Sequence, residues 1–331
     1  MPELRQNLAT REWVIIATER ATRPEEFVQP ARQRVEERPA WVETCPFCPG
    51  NEELDLEQMR LPAEGEWLAR VVRNRYPALR AAGERDRHFE GLNCAISGVG
   101  YHEVVVESRR HNTCPAIEPI EEVERTLLAF QMRGRKMFGD PRIEHVVFFK
   151  NHGLTAGASL QHPHTQLLGL PVVPYNVRAR IEEARRYFDD YGVCVHCRMR
   201  DEEERQGVRV VVSSPHFSAF VPYAAFSPFH LWIIPRRHTS SFLDATPEEL
   251  RDLAGLLRDM LRRLYVGLND PDYNYVIRSA PEHNQGAEFL HWYVAIVPRV
   301  TRTAGFELGS GMFINTALPE DSAAFLRSVP I

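Results

Sequence analysis

Residues 103–111 (EVVVESRRH) and 230–238 (HLWIIPRRH) decide the fold, because each is an apolar run of strand length closing on the same Arg-Arg-His. Beyond each copy, a helical pattern opens with an acidic pair, Glu121-Glu122 or Glu248-Glu249, suited to the positive end of a helix dipole. Each helix gives way to an Asp-Pro turn, Asp140-Pro141 or Asp270-Pro271, and then to a strand. A last histidine follows: His162 stands 51 residues after His111, and His291 stands 53 after His238. Before each copy lies a C-x-x-C pair, Cys45/Cys48 and Cys194/Cys197. One such match could arise by chance, but the ordered set reads as a duplication.

Each half thus offers two cysteines and two histidines. A C-x-x-C pair is either half a zinc site or a redox pair. Its repetition in the same order with two histidines favours zinc, at Cys45, Cys48, His111 and His162, and at Cys194, Cys197, His238 and His291. Four such ligands leave no position for water, which describes structural sites of up to two zinc ions per chain. Cys94 and Cys114 read as free thiols, although Cys114 lies close enough to His111 to stand in as a ligand.

The rest of the chain is consistent with a soluble enzyme. With 331 residues, 44% of them hydrophobic, it can bury a core of about two domains and keep a cleft. The 40 Lys+Arg against 45 Asp+Glu form no basic block, which argues against nucleic acid or a membrane surface as partner. Six cysteines are too few for a disulfide framework, and no apolar run would span a membrane, so the expected location is the cytoplasm. Strands are expected at 13–17, 69–72, 103–107, 145–150, 165–168, 208–213, 230–235, 273–278 and 291–297, and helices at 120–138, 177–191 and 246–268. The polar run 199–207 reads as a boundary.

The halves differ after the last histidine: the first continues His162-Pro163-His164-Thr165-Gln166, the second His291-Trp292-Tyr293. On a strand, His162, His164 and Gln166 share one face, so a metal can fix the first imidazole while the next faces a cleft. A neutral imidazole is a nucleophile toward phosphorus, and its phosphoramidate is a good donor to a second acceptor. The first half is therefore the catalytic copy. Upstream, the loop 151–160 (NHGLTAGASL) has Gly153 and Gly157, whose backbone N–H groups can approach phosphate, and Ser159, which adds a hydroxyl donor.

The run NHGLTAGASLQHPHTQ resembles the active-site segment of the galactose-1-phosphate uridylyltransferase family, within the histidine-triad superfamily. ERATRPEEF, CPFCPGNEE, VVRNRYPAL, SPFHLWIIPRRH, HWYVAIVPR and GFELGSGMFIN extend the resemblance over nearly the whole chain. It implies an α+β fold of two histidine-triad-like domains, with duplicated antiparallel sheets and flanking helices. The catalytic domain would be residues 1–172 and the non-catalytic repeat residues 173–331. It further implies a cytoplasmic homodimer and a ping-pong reaction. His164 would take UMP from UDP-glucose as a uridylyl-histidine, and a hexose 1-phosphate would accept it. By the same resemblance Gln166 donates to the transferring phosphoryl group, Asn151 and Ser159 contact ribose and phosphate, Arg20 forms a phosphate arm with Arg23 nearby, and Asn74 contacts the nucleotide. Glu307 matches the hexose side, where Phe313 stands in place of the family's Gln. The C-terminal stretch also looks like a branch that includes ADP-glucose phosphorylases, in which an adenylyl-histidine passes to inorganic phosphate. Their motif resembles His-Ser-His, whereas His-Pro-His here leans toward uridylyl transfer. The reading from another class is a non-enzymatic, zinc-stabilised nucleotide-binding protein.

Overall fold

The computed structural model describes residues 1–20, 23–28 and 33–331, with residue 20 described through its backbone alone. Ten strands form one sheet: β1 (Glu57–Leu61), β2 (Ala69–Arg73), β3 (Tyr101–Val106), β4 (His145–His152), β5 (His164–Leu170), β6 (Val210–Ser213), β7 (Phe217–Phe220), β8 (Leu231–Pro235), β9 (Tyr273–Arg278) and β10 (Tyr293–Pro298). Their order is β6-β7-β8-β10-β9-β4-β5-β3-β2-β1, antiparallel throughout. Outward from the centre, the first half runs β4-β5-β3-β2-β1 and the second β9-β10-β8-β7-β6, so each strand matches the one five places later. The two duplicated sheets expected from the sequence are two halves of one sheet, joined where β4 pairs with β9 through Phe149–Val276 and Phe148–Ile277.

Among the described residues, six α-helices accompany the sheet: α1 (Ile120–Phe138), α2 (Tyr175–Tyr191), α3 (Val195–Gln206), α4 (Pro247–Leu268), α5 (Gly305–Ser310) and α6 (Pro319–Ser328). α1 and α4 pack side by side, and their buried stripes repeat every three or four residues: Val123, Leu127, Phe130 and Gly134 on one, Leu250, Leu253, Leu257, Leu261 and Leu264 on the other. Thr246 and Glu249 close a reciprocal cap at the start of α4, and Arg237 of the second Arg-Arg-His grips Glu249 with two bonds of 2.6 Å. Trp232, Trp292 and Phe229 are buried in the second half.

Two expectations change. The run 199–207 is not a boundary; it belongs to α3, whose charges are used internally. Arg209 pairs with Glu203 at 2.9 Å, and Arg200 donates to the carbonyls of Pro235 and Arg236. Nor does the strand alternation extend back to His162 and His291, because β5 begins at His164 and β10 at Tyr293. Both histidines lie in the turns before their strands.

Burial of histidine sets the acid stability. Desolvation pushes the imidazoles of His145 and His230 down to about 4 and about 3. As the pH falls below 6.5 the unfolded chain takes up these protons and the folded chain does not. Stability should therefore fall by about 1.4 kcal/mol per pH unit for each such group between pH 6.5 and 4. Urea unfolding at pH 7.5 and 5.5 checks this: His145→Leu should lose less stability across that step than the parent, and an equal loss would contradict it.

Candidate active site

His164 opens β5 and sits between two cavities, sharing the wall of both with Ser159 and Leu160. The larger, of about 820 Å³, is lined by Lys150, Asn151, His152, Gln33 and Arg38 among others. The smaller, of about 420 Å³, has apolar walls from Phe47, Leu56, Val72 and Val104, and polar groups from Asn74, Arg75 and Gln166. His164 stands at the junction of the two.

The ring of His164 is held in one tautomer. Its Nδ1 lies 2.8 Å from the His162 carbonyl oxygen, which only accepts, so Nδ1 carries the proton and donates it. Nε2 is left with its lone pair and no protein partner among the described residues. Burial pushes the imidazole down to about 4, so it is neutral at physiological pH. Phe47 packs against the ring at 5.6 Å between centroids.

The backbone of the same residue is pinned as well. Lys150, 1% exposed, donates to the His164 carbonyl at 3.2 Å and to both Glu107 carboxylate oxygens at 2.7 and 2.8 Å. The sequence reading missed this pair, although the signal was there: Lys150 follows the apolar run 146–149 and Glu107 the apolar run 104–106, where the second half has Ile277 and Ile234. Removing one partner leaves the other charged in the core, so Lys150→Met should cost about 3–5 kcal/mol in denaturant unfolding, and Lys150→Met with Glu107→Leu should recover most of it. A double variant no more stable than the single one would contradict the pairing.

Gln166, on the same face of β5, is oriented by His102, another residue without an assigned role in the sequence. The Ala78 N–H donates to His102 Nδ1, so Nε2 carries the proton and donates to Gln166 Oε1 at 2.9 Å, with the Asn74 side-chain nitrogen also 3.1 Å from that Nε2. That turns the Gln166 amide N–H groups toward the space beside His164. His102→Phe should lower kcat about tenfold with KM little changed, since the amide is then free to flip. A change in KM alone would contradict a positioning role.

The loop after β4 is braced by the other half. Asp272 accepts from the Thr155 backbone N–H at 2.7 Å, and Asn274 of β9 donates to Asn151 Oδ1 and to the Ala156 carbonyl, both at 2.9 Å. Gly153, at φ 84°, lies so close to Asp272 that an added Cβ would stand 1.6 Å from its carboxylate. The N–H groups of Gly157 and Ala158 bond to the carbonyls of Leu154 and Gly153, so they are consumed within the loop instead of facing a phosphate as expected. Ser159 remains exposed at the cavity junction, with its hydroxyl unpartnered among the described residues.

Of the other expected residues, Asn74 lines the smaller cavity, where its Oδ1 accepts from the Tyr76 N–H at 2.9 Å. Arg23 is exposed and lines neither cavity, the Arg20 side chain lies outside the described residues, and Arg38, unmarked in the sequence, joins the Glu107-paired Lys150 in lining the larger cleft. Glu307 lines neither cavity and caps α5 through the Ala304 N–H.

Both Cys2His2 sets assemble, with the four ligand atoms of each within 4.8 Å of one another. In the first, His162 Nδ1 stands 3.7 and 3.6 Å from the sulfurs of Cys45 and Cys48, and His111 Nδ1 stands 3.5 Å from Cys48. In the second, Cys197 is 3.3 Å from His238 and 3.2 Å from His291. A tetrahedral cage with bonds of ~2.0–2.3 Å has edges of roughly 3.3–3.8 Å, so both sets could hold a metal ion. Cys114 takes no part, being buried in the main core with its thiol pushed up to about 12 by burial. His162 Nε2 donates to the Ser108 carbonyl at 2.8 Å, leaving Nδ1 for the cluster. The residue that faces the Cys2His2 set through its ring thus holds His164 through its carbonyl.

Comparisons with known proteins place the chain in a family. The descriptions "Galactose-1-phosphate uridyl transferase, N-terminal domain" and "C-terminal domain" match residues 1–174 and 180–326. An ADP-glucose phosphorylase of Arabidopsis thaliana is 36% identical, over 100% of this chain and 93% of its own. A galactose-1-phosphate uridylyltransferase of Thermotoga maritima is 29% identical, over 100% and 99%. The crystal structure of an Arabidopsis thaliana ADP-glucose phosphorylase with bound ADP-glucose superimposes with a TM-score of 0.84 at 33% identity, covering 100% of this chain and 99% of that one. With its duplicated sheet, its paired Cys2His2 sets and both family descriptions matched, the chain belongs to the galactose-1-phosphate uridyl transferase family.

Proposed function

We propose that this protein transfers a nucleoside monophosphate from a nucleoside diphosphate sugar to a phosphate-bearing acceptor, by way of a nucleotidyl-His164 intermediate. The observation that carries the reading is the His164 imidazole, neutral, with Nδ1 committed and Nε2 free between a cavity of about 420 Å³ with apolar walls, suited to a base, and a cleft of about 820 Å³ bordered by Arg38, roomy enough for the phosphates and sugar. In the first step Nε2 attacks the α-phosphorus, a P–N bond forms, and the bond to the sugar phosphate breaks, releasing glucose 1-phosphate. In the second step an acceptor oxygen attacks the same phosphorus and the P–N bond breaks. Gln166 and Ser159 donate to the phosphoryl oxygens as charge gathers on them, Arg38 offsets the sugar-side phosphate, and Asn74 and Asn151 hold the nucleoside. Zinc fits the cage geometry of both Cys2His2 sets; its chemistry is structural, four protein ligands fixing the turns that carry His162 and His291. The reading divides the chain into a catalytic unit, residues 1–172, and a bracing repeat, residues 173–331. It acts in a reducing compartment such as the cytoplasm, where Cys45 and Cys48 stay thiols. A homodimer is favoured by α5, where the exposed Phe306 and Leu308 flank Glu307 and offer a partner chain an apolar contact.

Two donors have support. His-Pro-His and the full-length likeness to the Thermotoga protein favour UDP-glucose with a hexose 1-phosphate acceptor. The greater identity to the Arabidopsis ADP-glucose phosphorylase favours ADP-glucose with inorganic phosphate. Initial rates of glucose 1-phosphate release from each donor, with each acceptor, decide between them. Turnover of one pair at least a hundredfold above the other fixes the donor, and turnover of neither would contradict nucleotidyl transfer.

A further inference from the structure

The second half contains a cavity in the place that the active site occupies in the first. Gln166 on β5 faces Phe149 on β4, and Ala295 on β10 faces Val276 on β9. Counting along the strands, Tyr293 stands where His164 does, and Arg278 where Asn151 does. Both line a cavity of about 250 Å³, together with Arg180, Asn176, His145 and His196.

Among the described residues that line it, this cavity has two arginines and no carboxylate, Glu12 being the acid that acts on Arg278 from outside the lining. The Nε of Arg278 and one Nη of Arg180 are buried without a hydrogen-bond partner, as are the Nδ1 atoms of His145 and His196. Among the described residues no carboxylate stands within ion-pair distance of either half-buried guanidinium, while the fully buried arginines, such as Arg133 with Glu103 or Arg209 with Glu203, have their own acids. Burial, with the repulsion of Arg180 behind it, pushes the Arg278 guanidinium down to about 10. Desolvated guanidinium groups without partners are costly, and the usual remedy is an anion that accepts from their planar N–H forks. A volume of 250 Å³ admits a phosphate group with little attached to it, but not a nucleotide sugar.

We propose that the second half binds a phosphate group, as inorganic phosphate or a small phosphate monoester, between Arg180 and Arg278. Tyr293 in the place of the nucleophile means that the bound phosphate is held and not transferred. The site lies on β9, the strand that braces the catalytic loop, and its existence does not depend on which nucleotide His164 carries.

Equilibrium dialysis of the full chain, in phosphate-free buffer with labelled inorganic phosphate in one arm and glycerol phosphate in the other, tests the site. The parent should bind one equivalent more than Arg180→Gln/Arg278→Gln of at least one of the two, the arm identifying which source is taken. Loss of the forks should weaken that equivalent about a hundredfold while glucose 1-phosphate release is unchanged. Removing unpaired buried charge should leave the Tm of the double variant in phosphate-free buffer equal to or above that of the parent. Should the double variant fail to fold, Arg278→Lys keeps the charge without the fork and should bind about tenfold more weakly. Equal stoichiometry in parent and variant for both ligands, or no binding by the parent beyond what the variant retains, overturns the proposal.

Discussion

His164→Ala should abolish turnover, with a loss on the order of 10⁵-fold in kcat, because the covalent route has no substitute in the chain. Among the described residues, the imidazoles around His164 are committed: His162 to the Cys2His2 set and Ser108, His102 to Gln166, and His152 to Asp270 at 2.8 Å. The variant should still bind the nucleotide sugar, since the cavity walls are untouched, and its fold should be close to the parent's. Stopped-assay release of glucose 1-phosphate measures the loss. A residual rate within a hundredfold of the parent would mean that another group attacks phosphorus.

The second large effect separates the two metal sets. In the first, the turn carrying His162 is held at its ring by the cluster and at Nε2 by Ser108, and its carbonyl holds His164. Cys48→Ser should therefore lower kcat about a hundredfold, the cost of a displacement near 1 Å at the nucleophile, as well as lowering the Tm. In the second, the equivalent turn leads only to Tyr293, so Cys197→Ser should lower the Tm and leave kcat within about twofold. The second set also has an exposed His238 and a half-buried Cys197, where the first is buried throughout. Dialysis against chelator should remove the second metal first, with activity surviving the loss of the first equivalent, as followed by elemental analysis alongside the assay. Equal loss of activity in the two cysteine variants would contradict the coupling.

The duplication was legible because its marks are chemical and ordered: Arg-Arg-His, the acidic helix starts, Asp-Pro and the Cys-x-x-Cys pairs carry the register without any need for precise strand ends. The strand ends themselves were less legible. His162 lies in a turn instead of on β5 because Pro163 has no N–H to give to the ladder, although its carbonyl still accepts from the Glu107 N–H. α3 was hidden by its composition, since a helix with Arg200 and Glu203 buried looks like a linker until their partners are in view. The roles of Lys150, His102, Asp272 and Asn274 depend on contacts between residues far apart in sequence, where composition gives no warning. Arg278 was unremarked for the converse reason: what sets it apart is the lack of a partner, which only the packed structure displays.

The central claim is that His164 carries the nucleotide covalently, and intact-mass spectrometry of the full-length protein tests it most directly. After incubation with UDP-glucose or ADP-glucose, followed by acceptor-free quenching at alkaline pH, the account predicts a gain of one UMP or one AMP per chain. The gain should map to His164 and be absent in His164→Ala. A parent protein that turns over its donor with no adduct, or an adduct that persists in His164→Ala, would contradict it.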